Sequence, residues 1–398
     1  MRILFVHESA GNFGGAEANV FATAIAARNR GHEIALAALR RTGKGEGDWE
    51  KLFGLFLYFP KTRDDWTKIL EKFQPDVVYM HKWDDLDSLD HLLSTRLPLV
   101  RMVHDHDMYC LRTYKYDPFT RQICNRPAGG YCVFPCLAPI QRNRRGLFPI
   151  RWASLSRKLK EIGLNRKLDC LVVASEHMRQ QLLINRFKPD LIRILPPIPP
   201  PSELLQSTFG PRNLLIFSGQ LVRGKGVDVL LHALSIVKEP FECLIFGDGS
   251  HRRPCEDLCR KLRLEKKVRF FGFVSNSEIR EQSREASVAL VSSVWPEPFG
   301  LVGLEAMRCG LPVVAFDAGG IGDWLKDNET GFLVPWMDVP TYASRIDQLL
   351  RDKQLARKLG ENGRKRVLQT YDFNRYMENL ETLFMNVKQE PRRRWSHP

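Results

Sequence analysis

The sequence contains no run approaching the ~20 uninterrupted apolar residues that a membrane-spanning helix requires. Its opening apolar stretch, Ile3-Leu4-Phe5-Val6, is too short for a signal-peptide core, and His7 and Glu8 follow at once. It reads as a first strand, and the chain as cytoplasmic, where thiols stay reduced. The glycine loop Gly11-Asn12-Phe13-Gly14-Gly15-Ala16-Glu17 lacks GxGxxG spacing, which speaks against a dinucleotide cofactor. No Gly-Lys-Ser/Thr follows it, so it is not a P-loop either. There is no short-period repeat. Nor is there an aromatic-interleaved basic motif of the kind that reads nucleic acid, so no nucleic-acid partner is expected. Among Cys110, Cys124, Cys132 and Cys136 no CxxC pair occurs, which excludes a standard zinc ribbon.

What is present is ordinary globular composition: 43% hydrophobic and 27% charged residues. A length of 398 residues exceeds one compact core and suits two domains. Lys and Arg outnumber Asp and Glu by 60 to 46, a formal charge of +14. Such a surface attracts anions (nucleic acid, acidic lipid headgroups, phosphorylated substrates) without choosing among them. The final Trp395-Ser396-His397-Pro398 matches the start of a common affinity tag and is set aside as a remnant.

Short β-branched runs alternate with helical stretches throughout. Arg2–Glu8, Glu33–Leu39, Asp76–His81, Leu99–Asp105, Cys170–Ser175 and Arg193–Pro197 read as strands whose continuous apolar character fits a parallel sheet buried on both faces. Ala16–Arg30 reads as a helix closed by Gly31. The proline stretch from Pro196 to Pro201 interrupts this rhythm and marks a domain boundary. A second series follows: Asn213–Gly219, Phe241–Gly247, Lys267–Phe273, Val288–Ser293, Pro312–Asp317 and Gly331–Pro335. From about Val339 the chain is helical and charged. The expected fold class is α/β, with two doubly wound Rossmann-like domains facing across a cleft, where ligands meet the carboxyl ends of the strands.

Three segments carry candidate chemistry. Glu297-Pro298-Phe299-Gly300-Leu301-Val302-Gly303-Leu304-Glu305 follows a strand and turns helical near Gly300. The amides at that helix start suit a phosphate, and the two carboxylates suit sugar or ribose hydroxyls. The alternative reading is an acidic helix terminus with a second, solvated Glu. Ser218-Gly219-Gln220-Leu221-Val222-Arg223-Gly224-Lys225-Gly226 is a basic glycine loop that would neutralise a diphosphate leaving group. His104-Asp105-His106-Asp107 closes a buried strand and suits acid–base or ligand work.

Together, and in this order, these segments resemble the family 4 retaining glycosyltransferases of the GT-B fold (glycosyl transferases group 1), whose signature is two glutamates seven residues apart. The resemblance implies that Glu297 contacts the donor sugar. Phe299, Gly300 and Leu301 would offer backbone to sugar and diphosphate, and Glu305 would bind the ribose. Lys225 would grip the phosphates. The family's usual Arg is replaced here by Gln220, and Arg223 is the candidate to supply that charge. Gly14 and Gly15 resemble the family's N-terminal glycine loop, Gly249 in Gly247-Asp248-Gly249 its loop beside the nucleotide, and Val274 in Phe273-Val274-Ser275 its base-reading segment. His104 matches a family histidine near the sugar. The catalytic set is thus His104, Glu297 and Lys225, with no cofactor for catalysis and no metal at the diphosphate.

By that likeness residues 1–197 form the acceptor-side domain, with an irregular cysteine-containing insertion at about 106–150. Residues 198–212 form a linker, 213–370 the nucleotide-sugar domain, and 371–394 a C-terminal helix returning to the first domain. Cys110, Cys124, Cys132 and Cys136 are candidate ligands of a structural zinc, with an iron–sulfur cluster or reduced thiols as alternatives. Cys255 and Cys259, at helical spacing, read as packed thiols. Arg142, Arg144, Arg145, Arg151, Arg157, Lys158, Lys160, Arg166 and Lys167 accompany Phe148, Trp152, Leu155 and Leu159, with only Glu161 opposing them. This segment reads as a basic helix with an apolar stripe, suited either to an anionic membrane surface or to covering the first domain. The implied function is transfer of a hexosyl-type sugar from a nucleotide-diphosphate donor to a glycan or lipid-linked acceptor. A DNA-modifying transferase, a sugar-nucleotide epimerase and a non-catalytic sugar-nucleotide sensor are the rival readings.

Overall fold

The computed structural model describes residues 1–389 except 12–13, 61, 118, 143–149, 201–205 and 211. Asn12 and Phe13, the Arg144, Arg145 and Phe148 of the basic segment, part of the 198–212 linker, the end of 371–394 and the 395–398 remnant therefore lie outside the described residues. The chain divides into two compact units. One takes Met1–Lys115, Cys124–Pro200 and the segment from Phe373; the other takes Tyr116–Ile123 and Pro201–Asp372.

In the first unit the strands are β1 (Arg2–Ala10), β2 (Glu33–Arg41), β3 (Leu55–Tyr58), β4 (Val77–Met80) and β5 (Leu99–Val103). They are followed in the chain by a separate antiparallel ribbon, β6 (Ile140–Arg142) and β7 (Ile150–Trp152), then by β8 (Cys170–Val173) and β9 (Ile192–Ile194). Apart from the ribbon, the strands form one parallel sheet in the order β3-β2-β1-β4-β5-β8-β9. β4, β5 and β8 are buried along their whole length, which a sheet permits only when helices cover both faces. Arg101 lies inside β5, and its guanidinium meets Asn165 Oδ1 at 2.6 Å and the Trp83 carbonyl at 3.1 Å, so the buried charge keeps its hydrogen bonds.

In the second unit β10 (Leu214–Ser218), β11 (Glu242–Phe246), β12 (Val268–Gly272), β13 (Val288–Val291), β14 (Val313–Phe316) and β15 (Gly331–Val334) pair in parallel in the order β12-β11-β10-β13-β14-β15. In both sheets the strand order reverses beside the first strand, placing switch points between β1 and β4 and between β10 and β13. Ligands of open α/β sheets bind at the carboxyl ends of strands at such points.

The C-terminal helix Phe373–Gln389 belongs to the first unit. Phe373, Tyr376, Met377, Leu380 and Phe384 repeat at three- and four-residue spacing and are buried. Tyr376 Oη lies 3.4 Å from Thr23 Oγ1, the Phe384 ring meets Tyr79 edge-on at 5.0 Å, and Lys388 pairs with Asp76 at 2.7 Å. Phe384 is 2% exposed. Phe384→Ala is therefore expected to destabilise the first unit by about 3–5 kcal/mol. Urea denaturation monitored by circular dichroism checks this, with the midpoint falling and the slope unchanged.

Candidate functional site

The site in the second unit is assembled from the loops that leave its strands. After β10 the chain makes a tight turn over Arg223–Lys225, and Gly226 follows at φ 66°. A Cβ at Gly226 would lie 2.1 Å from the Ser292 carbonyl oxygen, so the loop after β10 and the loop after β13 close on one another only through glycine. Their backbones are stitched together: Val294 and Trp295 N–H donate to the Gly224 carbonyl at 2.9 and 3.1 Å, and Ser292 Oγ donates to the Lys225 carbonyl at 2.9 Å.

That stitching brings Lys225 to Glu297. Lys225 Nζ donates to Glu297 Oε1 at 2.6 Å, and Trp295 Nε1 donates to the same oxygen at 2.9 Å. Ser293 Oγ donates to it as well. Lys225 Nζ also lies 5.4 Å from the Trp295 ring centroid. Glu297 is 4% exposed. Burial presses its pKa upward, but the Lys225 charge and the three hydrogen bonds outweigh burial, and the carboxyl sits below its ordinary range. It is an ionised, oriented acceptor at neutral pH. Its backbone is fixed by the turn after β14: Glu297 N–H donates to Ala318, and Gly320 N–H donates to the Glu297 carbonyl at 2.7 Å.

Phe299 is buried and its carbonyl accepts from Trp324 Nε1 at 2.6 Å. Gly300, at φ 92°, then starts the helix Leu301–Arg308. Leu301 and Val302 are half-buried at its first turn, and Glu305 is exposed on its side. The helix start leaves its first amides for an anion. Gly249 packs backbone against backbone, a Cβ there falling 2.4 Å from the Leu221 carbonyl oxygen. Val274 is half-buried just past β12. Gln220 is exposed beside the turn that Arg223 opens. The carboxyl-end loops of this sheet thus carry Lys225, Gly249, Val274, Glu297 and Gly300. Ser293, Trp295, Gly319 and Gly320 were not singled out from sequence. The signal was there for two of them, since Trp295 precedes Glu297 by two residues and Ser293 by four.

In the first unit, His104 stands just past β5 and is half-buried. Its Nε2 lies 2.8 Å from His81 Nδ1, past the end of β4, with the two rings stacked. His7, in β1, meets the His81 ring edge-on and lies 3.4 Å from Glu17 Oε1. Burial, and then the neighbouring His7, push the His104 pKa down to about 3; burial and His104 likewise hold His81 well below the usual imidazole range. Both rings are neutral at physiological pH, so His104 can donate or accept a hydrogen bond but does not arrive as a charged acid. Asp105 is engaged by Lys82 at 2.8 Å. His7, Glu17 and His81 were missed from sequence because they lie far apart in the chain and share no motif. Gly14 and Gly15 are exposed at the start of the helix Gly15–Asn29. The glycine that sterics require is Gly11, where φ is 113° and a Cβ would lie 2.1 Å from Thr42 Oγ1.

Cys110, Cys124, Cys132 and Cys136 are half-buried and unbridged. Burial, with neighbouring thiols adding to it, raises the Cys110 and Cys136 pKa values, so both are protonated at neutral pH. Among the described residues no group of three or more His, Cys, Asp or Glu is arranged to hold a metal ion. Structural zinc or an iron–sulfur cluster is thus a proposal carried by sequence alone. Elemental analysis of the purified protein decides it: stoichiometric zinc or iron supports it, and a metal-free folded protein retires it. Cys255 and Cys259 are buried on one helix within the second core.

Comparison with known proteins decides the family. The profile described as "Glycosyltransferase Family 4" matches residues 13–198, and that described as "Glycosyl transferases group 1" matches residues 206–366. The chain belongs to the family 4 glycosyltransferases. It is similar to the putative glycosyltransferase EpsD of Bacillus subtilis, 30% identical over 64% of this chain and 73% of that one. It is also similar to an uncharacterized glycosyltransferase, MJ1607, of Methanocaldococcus jannaschii, 32% identical over 41% of this chain and 42% of that one, so the match spans less than half the length of that relative. Among solved structures, Anabaena HepE in complex with UDP superposes with a TM-score of 0.73 at 18% identity, covering 97% of this chain and all of that one. Sucrose-phosphate synthase from Thermosynechococcus elongatus gives 0.71 at 20% identity, covering 97% and 98%. These likenesses establish the GT-B fold of two Rossmann-like domains. No described helix is long and apolar enough to cross a membrane.

Proposed function

We propose that this glycosyltransferase moves a hexosyl unit from a nucleotide-diphosphate sugar to a glycan or lipid-linked acceptor with retention of anomeric configuration. The observation that carries the donor half of this reading is the Lys225–Glu297 pair at the switch point of the second sheet, held by Ser293 and Trp295. The donor is held by the second domain and the acceptor by the first. The binding of UDP, and of UDP with glucose, by Anabaena HepE supports a nucleotide-sugar donor.

In this reading Lys225 and the amides from Gly300 onward take the diphosphate, with Arg223 adding charge where Gln220 replaces the usual Arg. As the glycosidic bond breaks, negative charge grows on the departing phosphate, and a fixed cation beside it lowers the barrier without reorganisation. Glu297 gives Oε1 to its three donors and turns Oε2 to a sugar hydroxyl. Glu305 takes the ribose, and Gly249 and Val274 border the nucleotide. His104, neutral, accepts or donates one hydrogen bond to the sugar. The departing phosphate takes the acceptor's proton on the same face, so no enzymic nucleophile is required.

Proton NMR of the first-formed product tests the stereochemical claim. The anomeric coupling should match that of the donor sugar. An inverted product, or free sugar formed equally fast without acceptor, would overturn it.

A further inference from the structure

The basic segment expected to be a helix from Phe148 onward is not one: β7 occupies Ile150–Trp152, and the helix begins at Leu155. That helix turns Ile162 and Leu164 into the first unit. The exposed apolar surface lies instead on the ribbon β6/β7.

The pairing register is Ile140 with Trp152, Gln141 with Arg151 and Arg142 with Ile150. Side chains alternate across a ribbon, so Gln141 and Arg151 share one face and Ile140, Ile150 and Trp152 the other. The Gln141 face is turned to the protein: Gln141 Nε2 donates to the Leu111 carbonyl at 2.6 Å, and Arg151 donates to Gln141 Oε1 at 2.7 Å. The opposite face is bare. Ile140 is 40% exposed, Ile150 51% and Trp152 77%, and nearby in the chain Phe134 is 77% exposed. A two-stranded ribbon is marginal in water without cover on its apolar face.

Charge indicates what covers it. From Val133 to Lys167 the one acidic residue is Glu161, which is buried and paired with Lys158 at 2.6 Å. Arg151, Arg157, Lys160, Arg166 and Lys167 are exposed around the ribbon's sequence, and nothing acidic is exposed with them. Protein–protein interfaces pair charges of both signs around an apolar centre. A tryptophan with isoleucines inside a fringe of one positive sign matches the boundary of an anionic bilayer, where indole rings sit at headgroup depth and Arg and Lys reach the phosphates.

We infer that the β6/β7 ribbon docks the protein on an anionic lipid surface, with Ile140, Ile150 and Trp152 entering the headgroup boundary and the surrounding Arg and Lys residues binding lipid phosphates. The inference stands independently of the donor chemistry, because none of these side chains belongs to the nucleotide site.

The test is co-sedimentation of the full chain with phosphatidylcholine vesicles made with and without phosphatidylglycerol, at low and high salt. Wild-type protein should bind the anionic vesicles, release them as salt rises, and leave the neutral ones. Trp152→Ser should weaken anionic binding by at least roughly tenfold, the loss expected when an apolar anchor of this size is removed. Trp152 is so exposed that the variant should fold. Unchanged nucleotide binding and circular dichroism confirm that, and Ile150→Ser provides a second variant if they change. Failure of wild-type protein to bind would overturn the inference. So would binding indifferent to phosphatidylglycerol, or binding that survives both substitutions. A self-associated protein in sedimentation velocity whose dimer is lost with Trp152→Ser would assign the face to a second copy of the chain instead.

Discussion

Replacing Lys225 with Ala lowers sugar transfer by about 10²–10³-fold, the loss typical of removing one preorganised charge stabiliser from a reacting site. The reason lies in what surrounds it. Glu297 is buried, and its low pKa depends first on the Lys225 charge working against burial. Without Lys225 the diphosphate loses its cation and Glu297 loses its counter-charge. A buried carboxylate so stranded costs about 3–5 kcal/mol or takes up a proton. Lys225→Ala should therefore also raise the Glu297 pKa, and residual activity should acquire an acid limb at higher pH than in wild type. Glu297→Gln separates the two effects, because it keeps shape while removing the charge. The two substitutions combined should cost less than the sum of each alone, since they dismantle one pair. Additive losses would place Lys225 and Glu297 in separate roles.

The second large effect is loss of stability in mild acid. His104 is held down to about 3 and His177 to about 4, each chiefly by burial, and His81 is depressed in the same direction. The folded state thus refuses protons that an unfolded imidazole accepts near 6.5. Between those values the unfolded chain binds more protons, so stability is full above about pH 6.5 and falls as pH drops. Each group contributes up to about 1.4 kcal/mol per pH unit across its own window. Lowered carboxyls such as Glu17 extend the loss further down, because their contribution disappears as pH falls through their folded-state values. Denaturation midpoints measured at successive pH values should trace this fall. His177→Gln, which removes one such group away from His104, should flatten the slope without altering nucleotide binding. A stability curve flat from pH 7 to pH 5 would contradict the buried neutral histidines.

Much of this was legible in the sequence where local pattern suffices. The buried parallel strands announced themselves as apolar runs, such as Val77–Met80 and Cys170–Val173. The Glu297–Glu305 spacing and the basic turn at Lys225 identified the family before any fold was known. What escaped was long-range or weakly patterned. β3 is four half-buried residues at a sheet edge, with no alternation to mark it. The Glu17–His7–His81–His104 group is drawn from three strands and a helix, and only the order of strands in the sheet brings it together. The ribbon β6/β7 was mistaken for helix because its spacing of basic and apolar residues fits both periods over so short a run. The roles of Gly319 and Gly320 depend on a loop crossing behind Glu297, which no local signature encodes.

The central claim is that the second domain holds a nucleotide-diphosphate sugar against Lys225 and Glu297. Isothermal titration of wild type and Lys225→Ala with UDP, GDP, ADP and their sugars tests it most directly. The account predicts that one nucleotide family binds wild type and is held at least tenfold more weakly by the variant. Equal binding by the two proteins, or no binding at all by the folded wild type at millimolar nucleotide, would contradict it.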